Sequence, residues 1–121
     1  MTEIGDNFKV ENVVSTKDTA IAMGSGGLEV YATPAMVALM ESAAFNLLKS
    51  KGEDSVGTMI NIKHLRACKI NTKVWAVATV TGVNGNWVNF KIEAFDDKGE
   101  IGTGEHTRYI INCEKFMSKL G

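Results

Sequence analysis

A chain of 121 residues, 45% of them hydrophobic, has the length of one domain and the make-up of an ordinary globular protein. Thirteen Lys and Arg against 14 Asp and Glu leave a formal net charge of −1, so there is no basic excess to hold nucleic acid or an anionic membrane. No apolar run approaches the roughly 18 residues of a membrane span, and the acidic opening Met-Thr-Glu-Ile-Gly-Asp carries no secretory apolar stretch.

Residues 1–6 are expected to fray. Residues 7–17 alternate loosely as a strand does, and 19–23 can continue it. Gly24-Ser-Gly-Gly27 reads as a mobile flap, since it lacks the strand, lysine and helix that surround a phosphate loop. Tyr31 to Lys51 then reads as the one long helix. Pro34 suits a first turn, Thr33 before it can cap with its hydroxyl, and Gly52 follows as a stop. The segment is apolar nearly all round, which predicts burial on most sides. Glu41 stands in its middle, either on a narrow exposed stripe or as a functional carboxylate in a dry place.

From Val56 the pattern changes to period two. Val56, Thr58, Ile60, Ile62 and His64 share the more apolar face, which predicts that His64 points inward. Residues 66–72 connect to a strongly β stretch, Lys73–Val83. Asn84-Gly85 predicts a hairpin of type I′. Trp87–Phe95 alternates with Val88, Phe90, Ile92 and Ala94 inward. Asp96-Asp-Lys-Gly99 reads as a turn whose two carboxylates are turn residues and not an acid/base pair. Glu100–Asn112 is the last strand and Glu114–Leu120 a short terminal helix. Cys68 and Cys113 have no metal-type spacing and are expected as two reduced thiols of a cytoplasmic protein, with no metal and no cofactor. One helix beside an antiparallel meander is an α+β arrangement with the helix on one sheet face, the whole chain 1–121 forming one domain. Periodicity alone does not separate a hotdog fold from cystatin-like sheets.

Three stretches go further: Thr33-Pro-Ala-Met-Val-Ala-Leu-Met-Glu41, Gly57-Thr-Met-Ile-Asn-Ile-Lys-His64 and Gly102-Thr-Gly-Glu-His-Thr-Arg108. Together they resemble the hotdog-fold acyl-CoA thioesterases, in particular the fluoroacetyl-CoA thioesterase branch, over about residues 8–117. The resemblance implies a central helix wrapped by a curved antiparallel sheet. It implies at least a homodimer with sites at the subunit interface, and leaves open whether dimers pair into tetramers. It further implies an acyl-CoA substrate, catalytic Thr33, Glu41 and His64, a Gly57 amide at the acyl site, and Arg108 nearby. Where the fluoroacetyl enzyme has a lid with aromatic residues, this chain has Met-Gly-Ser-Gly-Gly-Leu, which argues against fluoroacetyl specificity.

Thioester hydrolysis needs a nucleophile, a proton carrier and donors for the oxyanion. Glu41 can attack or activate water, His64 can carry the proton, and Gly57 N–H can donate to the oxyanion. Set against this are plain structural roles: Thr33 as a helix cap, Glu41 as an exposed carboxylate, His64 as a core histidine. His106 lies on the opposite strand face from Tyr109 and reads as structural or interfacial, with a site role open. Thr33 and Glu41 are eight residues apart, about 12 Å along a helix, so they can meet only through a bent-back turn, the substrate or a second subunit. Lys63, Arg66, Lys69 and Lys73 can face the phosphates of a CoA arm or form a solvated edge. Two other functions fit the same residues: a non-catalytic acyl-CoA-binding protein, and an acyl-thioester hydratase or dehydratase.

Overall fold

The computed structural model describes residues 1–121. Five antiparallel strands form one sheet in the order β1-β3-β4-β5-β2. They are β1 (Asn7–Val13), β2 (Asp54–His64), β3 (Lys73–Asn84), β4 (Trp87–Asp96) and β5 (Gly99–Ile111). Between β1 and β2 run a short helix, α1 (Ala20–Met23), and the long helix α2 (Thr33–Ser50); α3 (Cys113–Ser118) closes the chain. No helix is long and apolar enough to cross a membrane.

The pattern of α2 explains its placement. Ala35, Met36, Met40, Ala43, Ala44, Leu47 and Leu48 are its buried residues, an i, i+4 stripe wide enough to lie on a sheet. The sheet meets it with Val74, Ala76, Ala78 and Val80 from β3, Val88, Phe90, Ile92 and Ala94 from β4, and Ile101 from β5. Facing alanines on helix and sheet let the backbones approach closely. Each large side chain buried here contributes about 1.5–3 kcal/mol. Gly102 belongs to the same contact: a Cβ there would lie 2.6 Å from the Met36 sulfur. The helix ends as the sequence predicts, with Gly52 at φ +79° just beyond the Lys51 cap.

Several local expectations are corrected. Residues 19–23 do not extend β1. Thr19 accepts a hydrogen bond from Ala22 N–H and caps α1, and Gly24 takes the left-handed conformation at its end. The hairpin after β3 pairs Asn84 with Trp87, so its loop is Gly85-Asn86. Only Gly85 has positive φ there, as a type II′ turn requires and a type I′ turn does not. Near the N-terminus, Thr2 Oγ1 donates to Glu53 Oε1 at 2.8 Å and Gly5 N–H to Val80 O at 2.9 Å, contacts not expected of a fraying end. Asp96 is more than a turn residue. It is 5% exposed and holds Arg66 through two contacts of 2.6 and 2.9 Å. That pair keeps its carboxyl near pKa 2. Cys68 and Cys113 are both free thiols.

One correction matters for function. The pairing of β2 with β5 runs Gly57 with Arg108 and then Met59 with Thr107, so Thr58 is an extra, bulged residue. A bulge reverses the parity that period-two reading assumes. Beyond it Ile60 and Ile62 lie on the helix-facing side with His64, as predicted. Before it that side is held by Ser55 and Gly57, not by Val56 and Thr58. β2 is also a sheet edge, and Met59 (42%) and Ile60 (37%) stand exposed along it.

Candidate active site

Two groups of polar side chains lie along α2. The first is at its N-terminus. Ala32 is the cap residue, without a side-chain hydrogen bond, and Thr33 is already the first helical residue. The capping role expected for Thr33 is therefore not what its hydroxyl does. Thr33 Oγ1 lies 2.8 Å from His64 Nδ1 at the end of β2. His64 meets the buried Tyr31 ring edge-on at 6.4 Å. Its Nε2 is buried and meets no partner at good hydrogen-bond geometry, the Arg66 backbone making only a weak contact with the ring. Burial holds the ring below its ordinary pKa, which favours the neutral form. An open cavity of about 320 Å³ lies here, lined by Ser25, Val30, Thr33, Pro34, His64 and Leu65 among others.

The second group sits two turns further along the helix, against the bulge. A Cβ built on Gly57 would lie 3.0 Å from Glu41 Oε2, 3.1 Å from His106 Cε1 and 3.4 Å from Arg108 Nη1. Those three side chains thus converge on one point, where even a methyl group would press on all of them. Glu41 is partly buried, while His106 and Arg108 are nearly fully so at 1% and 6% exposure. Arg108 donates from Nε to Ser55 Oγ at 2.8 Å and from Nη2 to Ser55 O at 3.1 Å. Its guanidinium lies 5.6 Å from the Phe45 ring, one helical turn after Glu41. Glu41, Gly57, Met59 and His106 line a small surface cavity of about 160 Å³.

Of the five residues singled out in the sequence, Thr33 and His64 are therefore together, and Glu41, Gly57 and Arg108 are together. The two sets are not brought together within one chain. Thr33 is on the helix itself, so the bent-back turn is excluded, and the span of about 12 Å along α2 stands between them. Two further members of the second group are His106, for which the sequence left a site role open, and Ser55, which it did not suggest. His106 has the same strand parity as Gly102, Gly104 and Arg108, a signal that places it inward. Ser55 gave no signal, because the bulge hides its face. Of the basic residues near His64, Arg66 is taken by Asp96, while Lys69 and Lys73 line an open groove of about 860 Å³ that shares Val30, Arg66 and Ala67 with the Thr33–His64 cavity.

Solved structures carry the same arrangement of sheet and helix. A hypothetical protein of Thermus thermophilus, a thioesterase superfamily member, is 27% identical and superposes with a TM-score of 0.88 over 98% of this chain and 90% of its own. A hot-dog-like protein from Thermanaerovibrio acidaminovorans is 25% identical, with a TM-score of 0.86 over 97% and 89%. The fold is thus the hotdog fold of the thioesterase superfamily. More narrowly, residues 14–114 match the family of the fluoroacetyl-CoA-specific thioesterase. The fluoroacetyl-CoA thioesterase of Streptantibioticus cattleyicolor is 37% identical over 95 residues, covering 76% of this chain and 68% of that protein. A single-residue variant of the fluoroacetyl-CoA-specific thioesterase superposes with a TM-score of 0.92 at 31% identity over 99% of this chain and 96% of its own. The chain belongs to the fluoroacetyl-CoA-specific thioesterase family.

Proposed function

We propose that the protein hydrolyses an acyl-CoA thioester to the free acid and CoA, acting as a cytoplasmic homodimer whose sites each combine Thr33 and His64 of one subunit with Glu41 of the other. The observation that carries this reading is the His64 ring. One nitrogen is engaged by Thr33 at 2.8 Å and the other is buried without a well-placed partner beside an open cavity. Leaving such an atom unsatisfied costs about 1–3 kcal/mol, which makes sense where a substrate or a second subunit supplies the partner. The exposed apolar edge of β2 is the surface such a subunit would cover, since an unpaired long edge strand invites pairing.

In the reaction the C–S bond breaks and a water oxygen ends on the acyl carbon. Glu41 either takes the proton of that water or attacks the carbonyl first, with water then releasing the acyl group. On this reading the Gly57 amide and the Arg108 charge stabilise negative charge developing beside Glu41, supported by the approach of Glu41 and Arg108 to Gly57. With Glu41 as base, neutral His64, oriented by Thr33, relays the proton taken from water to the departing thiolate; with Glu41 as nucleophile, His64 passes to the thiolate the proton that water loses when it opens the acyl-enzyme. Lys69 and Lys73 in the adjoining groove suit the phosphates of the CoA arm. On this reading the acyl group is small or medium, and the absence of an aromatic residue from Gly24–Gly27, whose Ser25 lines the cavity, argues against fluoroacetyl specificity.

Free-thiol release from a panel of straight-chain acyl-CoAs tests the proposal. Turnover that disappears in Glu41→Ala and in His64→Ala, with fold and oligomeric state intact, is the expected result. Tight binding of acyl-CoA with no thiol released by the wild type would overturn it in favour of a binding protein, and hydration of an enoyl-CoA in favour of a hydratase.

A further inference from the structure

Thr58 is an unpaired extra residue on an edge strand, and its own hydroxyl offers only a 3.2 Å contact to Thr107 O. The side chains behind it do more. His106 Nδ1 lies 2.8 Å from Met59 O, on the C-terminal side of the bulge. A carbonyl only accepts, so Nδ1 must carry the proton and donate. His106 Nε2 lies 3.2 Å from Arg108 Nη1. A guanidinium only donates, so Nε2 must be the acceptor. Both contacts are satisfied by one species alone, the neutral ring with its proton on Nδ1. Arg108 in turn grips Ser55 on the N-terminal side of the bulge through Oγ and O. The chain of contacts Ser55–Arg108–His106–Met59 therefore spans the bulge from one side to the other, with Gly57 beneath it and Glu41 against it.

We infer that His106 and Ser55 are positioning residues: together they hold the Arg108 guanidinium, and with it the bulge that carries Gly57, against the Glu41 carboxylate. The inference rests on the thioesterase reading, because what is positioned is that reaction's carboxylate, its cation and its backbone donor. Arg108 has three of its five N–H groups used in the clamp, which leaves two that can serve Glu41 or the charge developing on the substrate. A ring that gained a proton on Nε2 would face Arg108 donor to donor and release it. The charged groups that face His106 are Arg108 on its own strand and Glu41 from α2; β2 presents the Met59 carbonyl, and β4 presents the uncharged Phe90 ring.

Three variants and one spectrum test this. His106→Leu keeps bulk and removes both contacts. It is expected to lower kcat about 10²-fold while KM moves less than about threefold, since a small misplacement of reacting groups has that cost. In His106→Gln the amide can donate to Met59 O and accept from Arg108 without titrating, and kcat is expected to return to within about threefold of wild type. On the acid limb, the slope of log kcat should then be less steep by one in His106→Gln than in the wild type, because the Gln side chain takes up no proton where His106 does. Ser55→Ala should lower kcat by about threefold to tenfold, since it removes one of three grips. The wild-type 15N imidazole spectrum, independent of any variant's folding, should show His106 at pH 7.5 with a protonated Nδ1 and a bare Nε2. A His106 ring protonated on Nε2, an unchanged kcat in His106→Leu, or a Gln variant as impaired as the Leu variant would each overturn the inference. A wild type that releases no thiol from any acyl-CoA between acetyl and octanoyl overturns the thioesterase reading itself and this inference with it. Turnover by the wild type with His106→Leu unaffected overturns this inference alone.

Discussion

The two ends of the Thr33–Glu41 stretch are built on opposite plans. At the helix mouth the side chains are few and open: Thr33 is exposed, its partner His64 is half-buried, and one imidazole nitrogen has no well-placed partner within the chain. At the bulge they are packed and accounted for: Arg108, His106 and Ser55 are buried, and each has protein partners at hydrogen-bond distance. A low-dielectric, fully connected group is rigid and sensitive to any lost member. An open pair adjusts, and waits for its missing contact. On the proposed function, one chain carries a finished half and an unfinished half of a site. In the proposed dimer, each unfinished half is completed by the finished half of the other subunit.

The comparison can be broken most forcefully at Glu41. Glu41→Gln keeps shape and removes the charge, and should lower turnover by about 10³-fold while shifting Tm by less than about 3 °C. Thiol-release kinetics and a thermal melt check both numbers, and equal turnover would remove Glu41 from the reaction. Gly57→Ala comes next. The new Cβ meets Glu41, His106 and Arg108 at 3.0–3.4 Å, and the last two are buried and held by hydrogen bonds. Turnover should fall by about 10²-fold, with a stability loss of about 1–3 kcal/mol in a denaturant titration. At the open end, Thr33→Val removes the hydroxyl on His64 but creates no clash. A loss of about tenfold to 10²-fold in kcat is expected, with Tm nearly unchanged because Thr33 caps nothing.

pH separates the two regions more gently. Burial lowers the folded pKa of both His64 and His106. Below the ordinary value of 6.5 the unfolded chain therefore binds protons that the folded chain refuses. Stability should be fully present above about pH 6.5 and fall as pH drops below it, until the folded pKa values are passed. His106→Gln should flatten that fall in a series of melts, and a Tm that rises on acidification in this range would contradict the assignment. The smallest effect on activity is expected at Asp96. Asp96→Asn breaks the Arg66 pair, which borders the Thr33–His64 cavity without touching Thr33 or His64, and should cost about 1–3 kcal/mol of stability with only a small change in kcat.

The fold was largely legible because its signals are long-range and redundant. Eighteen residues of apolar helix, clean alternation in Trp87–Phe95 and a glycine-bearing hairpin leave few α+β arrangements. The resemblance carried by Thr33, Glu41, Gly57 and His64 then selects the hotdog. What was not legible depends on single residues. One extra residue at Thr58 reverses the faces of Ser55 and Val56, and no periodicity reports a bulge. Thr33 has the sequence of a cap, yet the helix starts one residue earlier and frees its hydroxyl for His64. His106 and Arg108 share the strand face opposite Tyr109 by parity, but their mutual contact depends on ring tautomer and rotamer, which a sequence does not encode locally. Asp96 looked like a turn residue because its partner, Arg66, is thirty residues away.

Mixing two inactive variants tests the central claim, that the halves act together across subunits. Glu41→Gln and His64→Ala, each expected to be nearly inactive, are unfolded together, refolded, and checked by native mass spectrometry for mixed dimers. In a mixed dimer one site pairs the intact His64 of the first chain with the intact Glu41 of the second, and the other site has neither. With half the dimers mixed and one of two sites restored, activity should return to about a quarter of wild type. Mixed dimers no more active than the two variants apart would contradict a site shared between subunits.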